Sequence, residues 1–528
     1  MRYPVFYTGG AHMARYKGYD YNQLVMVPVS LDKQLVPGTL EHAIHTVIEE
    51  HVDTSIFDDK YSNDETGCCA YDPKILLKII LFAYSRGILH SRRMERACRE
   101  NIIFMALACG QQPDHSTLAG FVSSMGVEHI TELFTQVLMV CEKEGLLGGT
   151  HFSLDGLKLS SNASKEWSGT HSDLLKKKAR LEQKVKESIE EQQKEDAGGE
   201  NFDREREEKR IKRLSRNAER IGKFLEDNKP KGGRGGKEVQ SNVTDNESAK
   251  MVSSHGVVQG YNANALVDEK HQVVVHAEAF GEGEDAHNMG PMLQGAQHNL
   301  EKAGCGSDAL RDKVVSADTG FYSKDNFAAC REAAVDAYIP DRGFRNRDPR
   351  FADSKRHRRS VDKHKKRYTS KKRFFTPEDF KVDEATGRLM CPAGAKMYCS
   401  HKNLTTSDGY QGTAYCAPKT ACRVCKLRSK CLRNPNSPQR QVYYFHTKPT
   451  GGWAYEMKQK IDTVEGRKMY GKRLKIVEPV FGNVRAQKDM DCFTLRGRSK
   501  INIQWRLYCL VHNIEKIVHY GKSRTKVA

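Results

Sequence analysis

Strand patterns between His151 and Pro340 are split by a long charged segment, and any fold for this chain must accommodate both. HFSLDGLKLSSNAS, starting at His151, alternates apolar and polar residues as a half-buried strand does. From His171 to about Asn228 the chain turns dense in Lys, Glu and Arg. Leu181, Val185 and Ile189 form one apolar stripe there, and Ile211, Leu214, Ala218, Ile221 and Leu225 form another. Helical spacing predicts two amphipathic helices joined at DAGGEN, a solvated arm inserted into a domain, with KGGRGGKE as a flexible return. Strand patterns resume at VVQGYNANALVD and HQVVVHAEAF, a hairpin signal. A helix near Met289 to Ala303, the run DKVVSADTGFYS, a further helix and DAYIP follow. An antiparallel start with later crossover units predicts an α/β fold, a mixed sheet flanked by helices.

The flanking regions differ from this core. Residues 1–145 predict an N-terminal helical domain: Asp72 and Pro73 cap KILLKIILFAYSRG, Ser91 opens RRMERACRE, Asn101 opens IIFMALACG, and PDHSTLAGFVSSM starts a last helix. These are helix-turn-helix proportions, in which His115, Ser116 and Thr117 begin the DNA-reading helix; a plain helical bundle reads equally well. Residues 150–340 then carry the sheet, with the arm and its linker at 171–240. From 341 to 450 regular patterning is lost in a basic, Cys-rich insertion. Its stretch from Arg342 to Phe375 holds fifteen Lys or Arg against three Asp, with interleaved aromatics. Arg356, Arg358, Arg359, Lys365, Lys366 and Arg367 are the candidate phosphate contacts there. Helical patterns at 453–528 complete the domain.

The 528 residues carry a formal charge of +19 with 38% hydrophobic content, so a folded chain with an anionic partner, nucleic acid ahead of membrane, is expected. The first thirty residues lack a signal-peptide core and no long apolar run follows, which predicts a cytoplasmic protein. Fifteen cysteines, an odd and mostly scattered set, fit reduced thiols.

Three acidic residues stand out: Asp155 within a strand, Asp318 at the end of the strand in VVSADTGFY, and Glu478 on a C-terminal helix. If the two strands are neighbours, both aspartates reach one sheet edge. Three carboxylates on a rigid platform suit Mg²⁺ or Mn²⁺ and phosphodiester chemistry. Cys391, Cys399, Cys416, Cys422, Cys425 and Cys431 form a second cluster in which only Cys422 and Cys425 have zinc-knuckle spacing, so structural Zn²⁺ and buried free thiols both remain open. KGGRGGK lacks phosphate-loop spacing. His287, with Glu284 and Asp285, could approach the metal site, and a loop after a strand is the favoured reading.

Four segments, DGLKLSSNAS, GVVQGYNANALVD, SADTGFYSKDN and YGKRLKIVEPVFGNVR, together resemble bacterial insertion-sequence transposases of the DDE type, in order from about Tyr71 to Lys516. The resemblance implies an RNase H-like catalytic domain with Asp155, Asp318 and Glu478 as its Mg²⁺-binding triad. It also implies metal-dependent cleavage and strand transfer of double-stranded DNA at inverted-repeat ends, within a homodimeric synaptic complex. An inactive DNA-binding derivative and a nuclease without strand transfer are the alternatives. Tyr470, Arg473, Glu478 and Arg485 look like the family's Tyr, Arg, Glu and basic signature and would face DNA. One extra residue separates Arg473 from Glu478, and Arg485 stands where Lys is usual. Pro479 is expected to kink or begin the helix there.

Overall fold

The alternating segment at His151 becomes the middle of a six-stranded sheet. The computed structural model describes residues 30–60, 69–198, 204–233, 236, 238–253, 256–351, 374–383, 388–406, 410–447 and 452–522. Its strands are β1 (His151–Ser160), β2 (Ala249–Ser253), β3 (Gly256–Asp268), β4 (Val274–Phe280), β5 (Val314–Ala317) and β6 (Asp336–Tyr338). Their order is β6-β5-β1-β3-β2, with β4 also paired to β3. β1 runs antiparallel to β3 and parallel to β5, and β6 is parallel to β5. The hairpin of β3 and β4 and the later parallel crossovers match the expected mixed α/β sheet. Short β2, drawn from AKMVS, carried no clear alternation and joins the sheet beside the first half of β3.

Helices α1 (Leu40–Thr46), α2 (Pro73–Ser85), α3 (Ser91–Glu100), α4 (Ile102–Leu107), α5 (His115–Ser124) and α6 (Val127–Lys143) precede the sheet. The caps act as their sequences suggest: Asp72 accepts from the Lys74 N–H, Asn101 from the Ile103 N–H and Asp114 from the Thr117 N–H. These helices share one continuous apolar core with the sheet and the C-terminal helices, so their buried faces are covered by the rest of the chain. α7 (His171–Gly198) and α8 (Arg204–Asp227) pack together as the inserted arm on a small core of Leu174, Ile221 and Phe224. The return expected to be flexible contains a short ladder, Lys231–Gly232 against Glu238–Val239.

After β4 come α9 (Met289–Leu300) and α10 (Lys324–Glu332). The insertion expected to lack regular structure holds an antiparallel sheet of β7 (Tyr398–Thr405), β8 (Gln411–Cys416) and β9 (Gln441–Thr447). β7 is largely exposed, so it never shows the apolar alternation that marks a strand with one buried face. Then follow α11 (Trp453–Asp462), α12 (Val464–Gly482) and α13 (Arg498–Tyr520).

α13 is central to the packing. Its Trp505 is fully buried and donates through Nε1 to the Asn264 carbonyl at 2.9 Å. Along β4 it supplies side-chain partners for a strand edge. Asn502 accepts from the Ala279 N–H (2.7 Å) and donates to the Ala279 carbonyl (3.1 Å), and Asn513 does the same at Val274 (2.8 and 2.9 Å). Arg506 Nε donates to the Ala277 carbonyl at 3.0 Å. A buried edge would otherwise leave backbone groups unpaired, at a cost of about 1–3 kcal/mol each.

Of the two expectations for Pro479, that it begins a helix is not met: it lies inside α12. Proline removes the N–H that would bond the carbonyl four residues earlier. That carbonyl, on Lys475, accepts instead from Gln272 Nε2 at 3.0 Å. Among the described residues no helix is long and apolar enough to cross a membrane.

Candidate active site

The parallel register of β1 and β5 runs from His151 opposite Val314 to Leu154 opposite Ala317. One step further sets Asp155 beside Asp318, where β5 ends and β1 continues along β3 alone. Beneath them, on the same face, is a buried polar column: Ser153 and Ser316 hydroxyls lie 2.7 Å apart, and His151 Nε2 is 2.9 Å from the Ser316 hydroxyl. These bonds tie the two strands in register directly below the carboxylates.

Asp318 caps the short turn Thr319–Phe321, accepting from the Thr319 N–H at 2.5 Å. Asp155 accepts the Gly156 N–H at 2.8 Å with Oδ1 and Arg473 Nη1 at 2.6 Å with Oδ2. Burial pushes the Asp155 carboxyl above the usual carboxylate range; Arg473 and the Gly156 N–H pull it down, while the charge of Asp318 pushes it up. Arg473 is itself buried, and its Nε has no hydrogen-bond partner among the described residues. Its guanidinium lies 5.7 Å from the Tyr470 ring centre, and burial raises the Tyr470 hydroxyl above its ordinary range, with Asp318 adding to the rise. Tyr470 packs edge-on against Phe344 at 5.2 Å.

Asp155, Asp318, Tyr470 and Arg473 are thus brought together. Glu478 is exposed on α12, five residues beyond Arg473, and makes no hydrogen bond or ion pair among the described residues. The turn of the helix carries Arg473 and Val477 inward and leaves Glu478 outward. Arg485, past the end of α12, pairs with Asp491 at 3.3 Å.

Asp285, which with His287 read either as approaching the metal site or, in preference, as part of a loop, is a carboxylate near Asp318. It accepts from Asn262 Nδ2 at 2.6 Å, and burial pushes its carboxyl upward, with Asp318 contributing to the rise. A Cβ at Gly320 would stand 2.7 Å from Asp285 Oδ2, and one at Gly156 only 2.6 Å from the Oδ1 atoms of both Asn262 and Asn264. Each glycine therefore flanks a site aspartate and makes room for this polar support. The readable signal was GYNANA, in which two asparagines alternate onto one face of a strand that is otherwise apolar. His287 turns away to Asp325, 2.8 Å from its Nδ1.

In the helical region, His115, Ser116 and Thr117 open α5 as expected. The His115 ring and N–H both meet Glu95 Oε2, at 2.8 and 3.2 Å, locking α5 onto α3 and leaving Ser116 exposed. Arg356, Arg358, Arg359, Lys365, Lys366 and Arg367 lie outside the described residues. Of the six cysteines, Cys391, Cys422, Cys425 and Cys431 line one cavity, whereas Cys399 is exposed on β7 and Cys416 buried on β8. Among the described residues no three His, Cys, Asp or Glu side chains stand as a ready metal site.

Comparison with protein families gives two matches. The family described as Transposase DDE domain matches residues 390–518, and the one described as Transposase domain (DUF772) matches residues 29–124. The second covers α1 to α5, and the first includes α12 and α13; the strands bearing Asp155 and Asp318 lie between them. No curated protein matches the chain. The sheet is mixed and flanked by helices, with paired carboxylates where β5 ends beside β1. Both matched families are transposase domains, and together they indicate an insertion-sequence transposase of the DDE type.

Proposed function

We propose that this transposase binds the inverted-repeat ends of its own element and cuts and rejoins DNA with Asp155 and Asp318 at the reacting phosphate. The observation that supports this reading is the β1 and β5 register, which sets the two carboxylates side by side on a face that Arg473 and Tyr470 overhang. In this reading the sheet is RNase H-like. Glu478 is the third carboxylate by its place in the signature with Tyr470, Arg473 and Arg485, not by contact with the pair.

Hard carboxylate oxygens at a rigid strand end fit Mg²⁺ or Mn²⁺, and Asp155 and Asp318 would hold it. When bound, such an ion supplies an activated water and charge stabilisation on the leaving oxygen. The chain's own groups do the rest. Asp155 and Asp318 fix the geometry; Arg473 balances Asp155 before DNA arrives and has phosphate as a second partner, which its planar fork suits. Hydrolysis at the element's end frees a 3′-hydroxyl, and that hydroxyl attacks target DNA by in-line displacement. His115, Ser116 and Thr117 at the start of α5, with the basic segment after Phe351, would contact the ends. Two chains acting as a homodimer would hold both ends, with the arm of α7 and α8 available to join them.

The test is incubation of DNA carrying the element's ends with Mg²⁺ and either wild type or Asp318→Asn. Wild type is expected to nick and join strands while the variant does neither. Equal cleavage by both would remove Asp318 from the site, and nicking without joined product would favour a nuclease.

A further inference from the structure

The described residues between 374 and 447 form a lobe with its own small core cluster, Phe380, Leu389, Met397, Ala417 and Val442, separate from the main core. So small a core rarely supports a fold without a disulfide or a metal. Its six cysteines are all free thiols. Four of them, from two separate parts of the lobe, line the same cavity: Cys391 from one side and Cys422, Cys425 and Cys431 from the other.

The local backbone suits thiolates. Gly394, at φ +80°, turns the chain so that its N–H donates to the Cys391 carbonyl at 2.8 Å and the Ala395 N–H donates to Cys391 Sγ at 3.3 Å. Opposite, Arg428 pins the other ligand loop: its Nη1 donates to the Cys422 carbonyl at 2.8 Å and its N–H to the Cys425 carbonyl at 3.1 Å. Cys431 ends the next helical turn, Arg428–Cys431.

We propose that Cys391, Cys422, Cys425 and Cys431 close on one structural Zn²⁺ that staples this lobe, with Cys399 and Cys416 outside the site. In the chain as it stands the thiols ring the cavity without meeting at ligand distance. Binding draws them in and releases their protons to solvent as four thiolates form, and the cations of Arg428 and Arg440 offset the charge.

The full-length protein, purified without chelator, is measured for zinc by elemental mass spectrometry. About one zinc per chain is expected; Cys422→Ser and Cys431→Ser lose most of it and Cys399→Ser keeps it. Wild type reloaded with Co²⁺ shows the intense visible bands of tetrahedral thiolate ligation, a readout that does not depend on any variant folding. Absence of those bands overturns the proposal, as does equal zinc loss in Cys399→Ser and Cys422→Ser. Neither readout involves DNA cleavage, so the zinc site and the catalytic reading stand or fall separately.

Discussion

The sheet and the Cys-rich lobe solve the same problem with unequal means. The sheet shares one core with the N-terminal helices and α13, and even its β4 edge is met by Asn502, Arg506 and Asn513. The lobe has a three-stranded sheet, one strand largely exposed, and a short ladder of Lys381–Val382 against Leu389–Met390, with a core cluster of five buried side chains among the described residues. Redundant burial lets the sheet carry costly features: adjacent carboxylates, a buried arginine and asparagines with unpartnered atoms. A core of five has no such surplus, so one lost contact there should cost the lobe its fold.

The sharpest separation of function from stability is expected in the sheet. Asp318→Asn should lower strand cleavage by on the order of 10³-fold, about 4 kcal/mol of barrier, with thermal unfolding unchanged; end-cleavage assays and calorimetry together check it. Trp505→Ala should cost about 3–5 kcal/mol through its cavity and the lost bond to Asn264, and urea unfolding should show the main transition shifting as a whole. Leu389→Ala should cost about 2–5 kcal/mol but melt only the lobe, seen as new proteolytic cuts within 374–447 while the sheet stays resistant. Cuts spread over the whole chain would erase the distinction between the two regions.

Smaller effects probe the support of the carboxylates. Gly320→Ala should cost about 1–3 kcal/mol by forcing a methyl onto Asp285, and Asp285→Ala in the same chain should restore part of it. A double-mutant cycle with no coupling would remove the contact from the account. The smallest effect is pH-linked. Burial, with Lys516 and Lys488, pushes His512 down to about 3, below the ordinary value of about 6.5. The unfolded chain therefore binds the extra proton between those values, and the His512 share of stability is lost as pH falls below about 6.5, by up to about 1.4 kcal/mol per pH unit. The difference in urea midpoint between wild type and His512→Gln should therefore change between pH 7 and pH 5, with wild type losing more; a difference that stays constant would mean that the ring titrates alike in the folded and unfolded chain.

Much of this was legible because local rules and tertiary packing agreed. β1, β3, β4 and β5 bury residues on both faces or alternate clearly, and Asp72, Asn101 and Asp114 stand where helix starts need them. β7 was not legible, because an exposed strand has no face to mark it. That Pro479 sits inside a helix was not legible for a different reason: the partner that satisfies the orphaned Lys475 carbonyl is Gln272, about 200 residues earlier in sequence. For Asp285 the sequence left two readings, a loop or an approach to the acidic site, because only the turn at Gly320 brings it close to the Asp318 segment.

By itself, the sequence determined the strand that ends at Asp318, the helical arm and the order of the acidic segments, because periodicity and capping are local. Tertiary structure alone decided which of these groups meet. It set Asp155 beside Asp318 through a parallel register, turned Arg473 inward and Glu478 outward on one helix, and separated four cysteines from two. Adjacency of that kind depends on strand pairing and helix rotation, which are settled by burial across distant parts of the chain and leave no mark in local spacing.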